Sequence, residues 1–217
     1  MNELQKRLCE RYDAHYLRLN VLTSASLNVA KYEQHIPGYE ASCGCIVSGL
    51  PTGTQILDIG CGVGFLLFWL QHSRPIFELT GVEISERQLA LAKKHLPEAI
   101  TLLREEATLF LQHNPHSFAA MFCTDVLEHA ETDDELLQLL EFAKESLLPG
   151  GFIICQVPRM ANLTGMHSRY IDLTHSHGFT DLSLLQLLEC VASSSQLSTS
   201  LKVACSCFHL TTTETNT

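Results

Sequence analysis

Positive charge is what this sequence most lacks. Lys and Arg total 14 of 217 residues against 24 Asp and Glu, a formal net charge of −10. No basic run exceeds two residues (Lys6-Arg7 and Lys93-Lys94). Nonspecific binding to nucleic acid needs clustered Lys and Arg, so no nucleic-acid partner is expected. Long apolar runs are missing too. The longest, about Phe65 to Leu70, is far shorter than the ~20 residues of a spanning helix, so no membrane span is expected. The opening stretch, Met1 to Arg7, has no apolar h-region. That predicts no secretory signal and a cytoplasmic chain. Neither an internal repeat nor a long linker is visible.

What remains is apolar and rich in thiols. Hydrophobic residues make up 46% of the chain, enough for a packed core and too many for general disorder. The length suits one domain, since domains run roughly 100–200 residues. Nine cysteines, an odd number without an export signal, read as reduced thiols rather than a disulfide framework. Two C-x-C pairs occur, Cys43/Cys45 and Cys205/Cys207. Their spacing is tighter than the usual C-x2–4-C of zinc ligands. They read instead as turns or strand alternation, and no metal is assigned to the chain.

The hydrophobic pattern alternates between strand and helix. Strands are expected over 55–59, 77–84, 100–103, 118–123 and 152–157, separated by helices over 63–72, 86–95, 107–112 and 133–147. Ser85 is the expected N-cap of the second of these helices, and Pro149-Gly150-Gly151 stops the last. Such alternation predicts an α/β fold with a doubly wound, mostly parallel sheet and helices on both faces. The single domain divides into a helical N-terminal cap (1–50), a core (51–192), and a terminal strand with a mobile tail (193–217). The cap is read as two helices, 3–22 and 25–34, ending before Pro37-Gly38. It carries Tyr12, Tyr16, Tyr32 and Tyr39, an aromatic set read mainly as packing. A last strand is expected over 201–208. If it alone completes the sheet, an edge is left to pair with a second copy in a homodimer.

The chemistry concentrates after the first strand, in Asp58-Ile59-Gly60-Cys61-Gly62-Val63-Gly64. Glycines admit positive φ and let the backbone approach a ligand closely. The helix start beyond them offers unpaired N–H groups to a carboxylate or phosphate. The second strand then ends at Glu83, 19 positions after Gly64. An acid placed there can accept hydrogen bonds from a ribose diol. The dinucleotide fingerprint G-x-G-x-x-G requires its third glycine one position later, where Phe65 stands, so a pyrophosphate pocket is disfavoured.

This loop with Glu83 resembles the first two motifs of the class I S-adenosylmethionine (SAM) dependent methyltransferases. Three further segments match that family in order: Glu105-Glu106-Ala107, Thr124-Asp125-Val126-Leu127-Glu128-His129, and Leu147-Leu148-Pro149-Gly150-Gly151. The resemblance covers about residues 55–190 and implies SAM as cofactor. It implies that Gly60, Cys61, Gly62 and Gly64 line the methionine portion and that Asp58 orients the loop. Glu83 would bind the ribose, Ile84 would pack on the adenine, and Glu106 with the Ala107 amide would read the adenine edge. Cys123 and Thr124 would lie below the sulfonium. Two departures stand out: Phe118-Ala119 replaces the family's usual F-D, and Glu106 replaces the commoner Asp.

Further along, the Asp172-Leu173-Thr174-His175 segment, with His177, Phe179 and Thr180, resembles the D-x-T-H…F-T segment of small-molecule and glycan-associated methyltransferases. Asp172, His175 and His177 are expected to orient an acceptor, accept its proton or bind a metal, or else to close a turn. His175 and His129 are the candidate catalytic residues, since a histidine titrates near neutral pH. The segment Thr124-Asp125-Val126-Leu127 differs from the N-P-P-Y of DNA adenine enzymes, which again argues against nucleic acid. The implied activity is methyl transfer from SAM to a small-molecule, lipid-linked or glycan-linked acceptor. The alternative is a noncatalytic SAM- or nucleoside-binding regulator.

Overall fold

The structure is a computed structural model that describes residues 27–74, 76–161 and 163–193. The helix expected over 3–22, Tyr12, Tyr16, Cys205/Cys207, the strand over 201–208 and the tail lie outside the described residues.

Five strands form one sheet in the order β3-β2-β1-β4-β5. They are β1 (Gln55–Ile59), β2 (Glu78–Val82), β3 (Thr101–Leu103), β4 (Phe118–Thr124) and β5 (Leu147–Gln156). Every ladder is parallel. The helices are α1 (Val29–Glu33), α2 (Ile36–Val47), α3 (Phe65–Ser73), α4 (Glu86–His95), α5 (Ala107–His113), α6 (Asp133–Ser146), α7 (Leu163–Ile171) and α8 (Asp181–Ser193).

Parallel strands buried on both faces read as continuous apolar runs, and β1 and β4 do. Ile56, Ala120, Phe122 and Ile154 face a core shared with α1 to α4. Leu57, Met121, Cys123 and Ile153 face the opposite core, shared with α5, α6 and α8. Trp69 of α3 is fully buried. At about 25 cal/mol per Å² its burial is worth roughly 4–6 kcal/mol, and its Nε1–H donates to Glu40 Oε2 at 3.0 Å. On the other side Lys144 of α6 reaches the end of α8, where its Nζ donates to Val191 O at 2.6 Å and Ala192 O at 3.2 Å. A cation there satisfies carbonyls left over by the helix and opposes the dipole.

The helix over 86–95 and its Ser85 cap stand as expected; Ser85 Oγ accepts from Gln88 N at 3.0 Å. Three local readings change. Pro37-Gly38 follows the end of α1, as expected, but also opens α2, with Pro37 in its first turn, where a missing N–H costs nothing. Gly44 consequently lies inside α2 rather than in a turn, and Cys43 is buried while Cys45 is exposed, so this C-x-C pair does not converge. β5 begins earlier than expected: Leu147 already pairs with Phe118, and Pro149 and Gly150 protrude where the register shifts. The helix α7 was not expected at all. No helix among the described residues is long and apolar enough to cross a membrane.

A candidate cofactor and acceptor site at the sheet's switch point

The strand order reverses between β1 and β4, where crevices of doubly wound sheets open at the carboxyl ends of the strands. The loop after β1 and the turn after β4 therefore face each other. Gly60, Gly62 and Gly64 all adopt positive φ, at 66°, 56° and 86°. A Cβ on Gly60 would stand 2.5 Å from Val126 Cγ2, and one on Gly64 would stand 2.5 Å from Leu96 Cδ1. The loop's conformation and its close packing thus both require glycine. Cys61 N donates to Val82 O at 3.0 Å and Gly64 N to Cys61 O at 2.8 Å. Tyr32, fully buried, donates its hydroxyl to Val63 O at 2.8 Å and packs edge-on against Phe65, ring centroids 5.0 Å apart. Tyr32 and Tyr39 are accordingly core residues of α1 and α2, Tyr39 stacking on Trp69 at 5.5 Å.

Glu83 is the fastener of this loop. One carboxylate oxygen accepts from Gly62 N at 2.9 Å, the other from Ser85 N at 2.7 Å. The side chain thereby ties the glycine loop to the start of α4. Asp58 lies buried beneath. Its burial, and secondarily the neighbouring Glu83 charge, push its carboxyl well above the usual range. Burial and then Asp58 and Glu83 likewise raise the Cys61 thiol. Cys61 is therefore a small apolar filler of the loop rather than a thiolate.

Beyond Glu83, Ile84 is 64% exposed, an apolar side chain presented at the crevice edge. Arg104 pairs with Glu86 at 2.8 Å and its Nε approaches Ile84 O at 3.4 Å. Glu106 serves as the N-cap of α5, its two oxygens accepting from Thr108 N at 2.9 Å and Leu109 N at 2.8 Å. Ala107 is the first residue of that helix.

Across the crevice, Cys123 is fully buried and pairs in register with Cys155. Thr124 ends β4, and Asp125 turns the chain with φ of 53°. A single 3-10 turn, Leu127–His129, follows. Glu128 is 1% exposed, and neither carboxylate oxygen has a hydrogen-bond partner. Burial first, then the Asp125 charge, raise its carboxyl well above the ordinary value. Its backbone carbonyl accepts from Ser176 N at 2.8 Å and His177 N at 3.1 Å, so the α7–α8 connection is stitched onto this turn. Asp172 Oδ1 accepts from Thr174 N at 2.9 Å and Thr174 Oγ1 at 2.7 Å. Thr174 Oγ1 lies 2.9 Å from His129 Nδ1. The His129 and His175 rings meet edge-on with centroids 4.8 Å apart. Burial first, then His175, lower the His129 pKa to about 4, so its imidazole is neutral at pH 7.

The structure thus regroups the acceptor-side residues. His177 turns away from His175: its Nδ1 lies 2.8 Å from Ala130 O and its Nε2 3.0 Å from Asp133. Asp172 closes the turn to Thr174, and it also anchors the chain that reaches His129. Glu128 joins the two histidines in its place, a residue the sequence offered only as part of a motif.

Fold and loop together resemble those of the class I SAM-dependent methyltransferases, whose cofactor is S-adenosylmethionine. Residues 57–153 match the family model described as methyltransferase domain. The chain is 26% identical over 104 residues to a ubiquinone biosynthesis O-methyltransferase of Vibrio cholerae, covering 46% of this chain and 40% of that protein. It is 30% identical over 109 residues to a trans-aconitate 2-methyltransferase of Variovorax paradoxus, covering 50% and 40%. The chain therefore spans about two fifths of the length of these curated relatives. Among solved structures it resembles the plantazolicin methyltransferase BpumL in complex with a desmethylPZN analog and SAH, with TM-score 0.66, 19% identity and coverage of 89% and 75%. A SAM-dependent methyltransferase from Archaeoglobus fulgidus superposes with TM-score 0.60 at 21% identity, covering 72% and 68%.

Proposed function

We propose that the chain binds SAM along the glycine loop and transfers its methyl group to a small-molecule acceptor, with a lipid- or glycan-linked hydroxyl as the wider class. The observation that carries this reading is the clamp of Glu83 on Gly62 and Ser85 at the sheet's switch point. It holds a backbone cradle, with an acid at ribose position, against the end of β4. In this reading Gly60, Cys61, Gly62 and Gly64 follow the methionine portion, Glu83 accepts the ribose hydroxyls, and exposed Ile84 covers the adenine. The Ala107 amide faces the adenine edge. Glu106 acts there mainly by fixing the start of α5, because its oxygens already hold two helix amides.

Methyl transfer from a sulfonium is an in-line displacement with an activated leaving group. The protein chiefly aligns acceptor, methyl and sulfur and keeps water out. A hydroxyl acceptor also loses its proton as the O–C bond forms. His129 and His175 are the titratable groups that the β4 turn and the α7–α8 connection bring to this edge. The name of one relative, a ubiquinone biosynthesis O-methyltransferase, supports an oxygen acceptor.

Calorimetry with SAM and with its demethylated product tests the cofactor half. Binding of both is expected, and its loss in Gly62→Arg places it at the loop. No binding to either ends the proposal. Release of labelled methyl to a panel of hydroxylated and carboxylated acceptors tests the second half. Binding with no transfer across the panel favours the regulator reading over the enzyme.

A further inference from the structure

We propose that Glu128, His129 and His175 form a binding site for one divalent first-row transition ion, of the zinc or manganese kind. One ligand atom from each of the three lies within 4.8 Å of the others. Ligand atoms sharing an ion at about 2.1 Å stand about 3.4 Å apart in a tetrahedron, so modest side-chain rotation closes the set. The donors, two imidazoles and one carboxylate, are the mixture used where a metal keeps a position open for water or substrate.

The buried carboxylate supplies an independent pointer. Glu128 is 1% exposed and both its oxygens are without a hydrogen-bond partner. A buried acid without partners is costly by several kcal/mol, and such groups call for an explanation. Asp125 and Asp172 lie close enough to add to its electrostatic burden. A dication offsets up to two of these three charges at once.

The surroundings are arranged as a metal's outer shell. Thr174 Oγ1 has one proton, which it donates to Asp172 Oδ1 at 2.7 Å. The same oxygen therefore accepts from His129 Nδ1–H at 2.9 Å. This network assigns the Nδ1–H tautomer to His129 and puts the ring's lone pair on Nε2. A carboxylate that orients a ligating histidine is the usual second layer of such sites; here it acts through a threonine. The two segments that carry the ligands are pinned together by Ser176 N and His177 N on Glu128 O, so the donors are preorganised.

A bound dication lowers the pKa of a coordinated hydroxyl, which suits an oxygen acceptor. That consequence rests on the methyl-transfer reading; occupancy of the site does not. The test is therefore a binding measurement made without SAM. Metal-stripped full-length protein is titrated with Mn²⁺ and followed by loss of the free-ion electron paramagnetic resonance signal. Mn²⁺ is chosen because it has little affinity for thiolates, so the free cysteines do not confuse the count. One bound Mn²⁺ per chain, displaced by Zn²⁺, is expected. Glu128→Gln and His175→Ala should each weaken binding at least tenfold, whereas Cys45→Ser leaves it unchanged. Circular dichroism checks that each variant is folded, and the half-buried His175 provides a milder variant than Glu128. Absence of saturable Mn²⁺ binding overturns the proposal. So does binding that survives in a folded His175→Ala or Glu128→Gln protein.

Discussion

Replacing Glu83 by Gln separates the loop's dependence on charge from its dependence on shape. The carboxylate accepts from two backbone amides, Gly62 N at 2.9 Å and Ser85 N at 2.7 Å, and is buried at 7% exposure. A Gln of the same shape has one carbonyl oxygen and so serves one amide; its NH2 faces the other, donor against donor. Hydrogen bonds to a charged group contribute about 1.5–3 kcal/mol, so the loss of one should destabilise the fold by about that much. Relief of repulsion with Asp58 offsets part of it. The ribose loses an acceptor as well, and at 1.4 kcal/mol per decade SAM affinity should fall by about 10- to 100-fold. Urea denaturation reports the first quantity and calorimetry with SAM the second. A Gln variant within about 0.5 kcal/mol of the parent, with SAM affinity within about threefold, would refute both the clamp and the ribose role.

Three other perturbations probe different parts of the molecule. Gly64→Ala puts a Cβ at φ 86° and 2.5 Å from Leu96 Cδ1; strain of about 1–2 kcal/mol from the left-handed backbone alone, plus displacement of Leu96, should lower the thermal midpoint and weaken SAM binding. Asp58 is raised in the folded state by burial and then Glu83, so the fold binds its proton more tightly than the unfolded chain. Its contribution is then greatest below the unfolded value near 3.9 and is lost as pH rises through the folded pKa. Asp58→Asn should flatten that decline in a series of urea melts, and an unchanged pH slope would contradict the assignment. Lys144→Met removes the buried ammonium's bonds to Val191 O and Ala192 O, which should cost about 1–3 kcal/mol and speed amide exchange at the end of α8 more than elsewhere.

The legible parts of the sequence were those with a local cause. Ser85 sits where a cap belongs and the chain after it is amphipathic, so α4 was readable to the residue. Gly60-Cys61-Gly62-Val63-Gly64 was readable because a positive φ recurs at each glycine, and Glu83 because a strand end must face the crevice. Pro37 marked the helix end ahead of it, but a proline reads equally as a first-turn residue; packing of Tyr39 and Val47 on α3's side of the core makes it that as well. Glu106 was read as an adenine contact, yet two helix amides at its own doorstep claim its oxygens, a competition that spacing does not reveal. The meeting of Glu128 and His129 with His175 was invisible for another reason. It depends on backbone bonds between the β4 turn and a connection that only the fold brings alongside.

The contact between Val126 Cγ2 and the empty side of Gly60 has a wider consequence. A single isopropyl group sits between the glycine loop after β1 and the turn that leads to Glu128 and His129. It works as a spacer with a fixed gauge. Trimming it to Ala would give the loop and the turn slack, whereas lengthening it to Ile would wedge them apart. The approach of the glycine loop to the β4 turn is thus written at position 126.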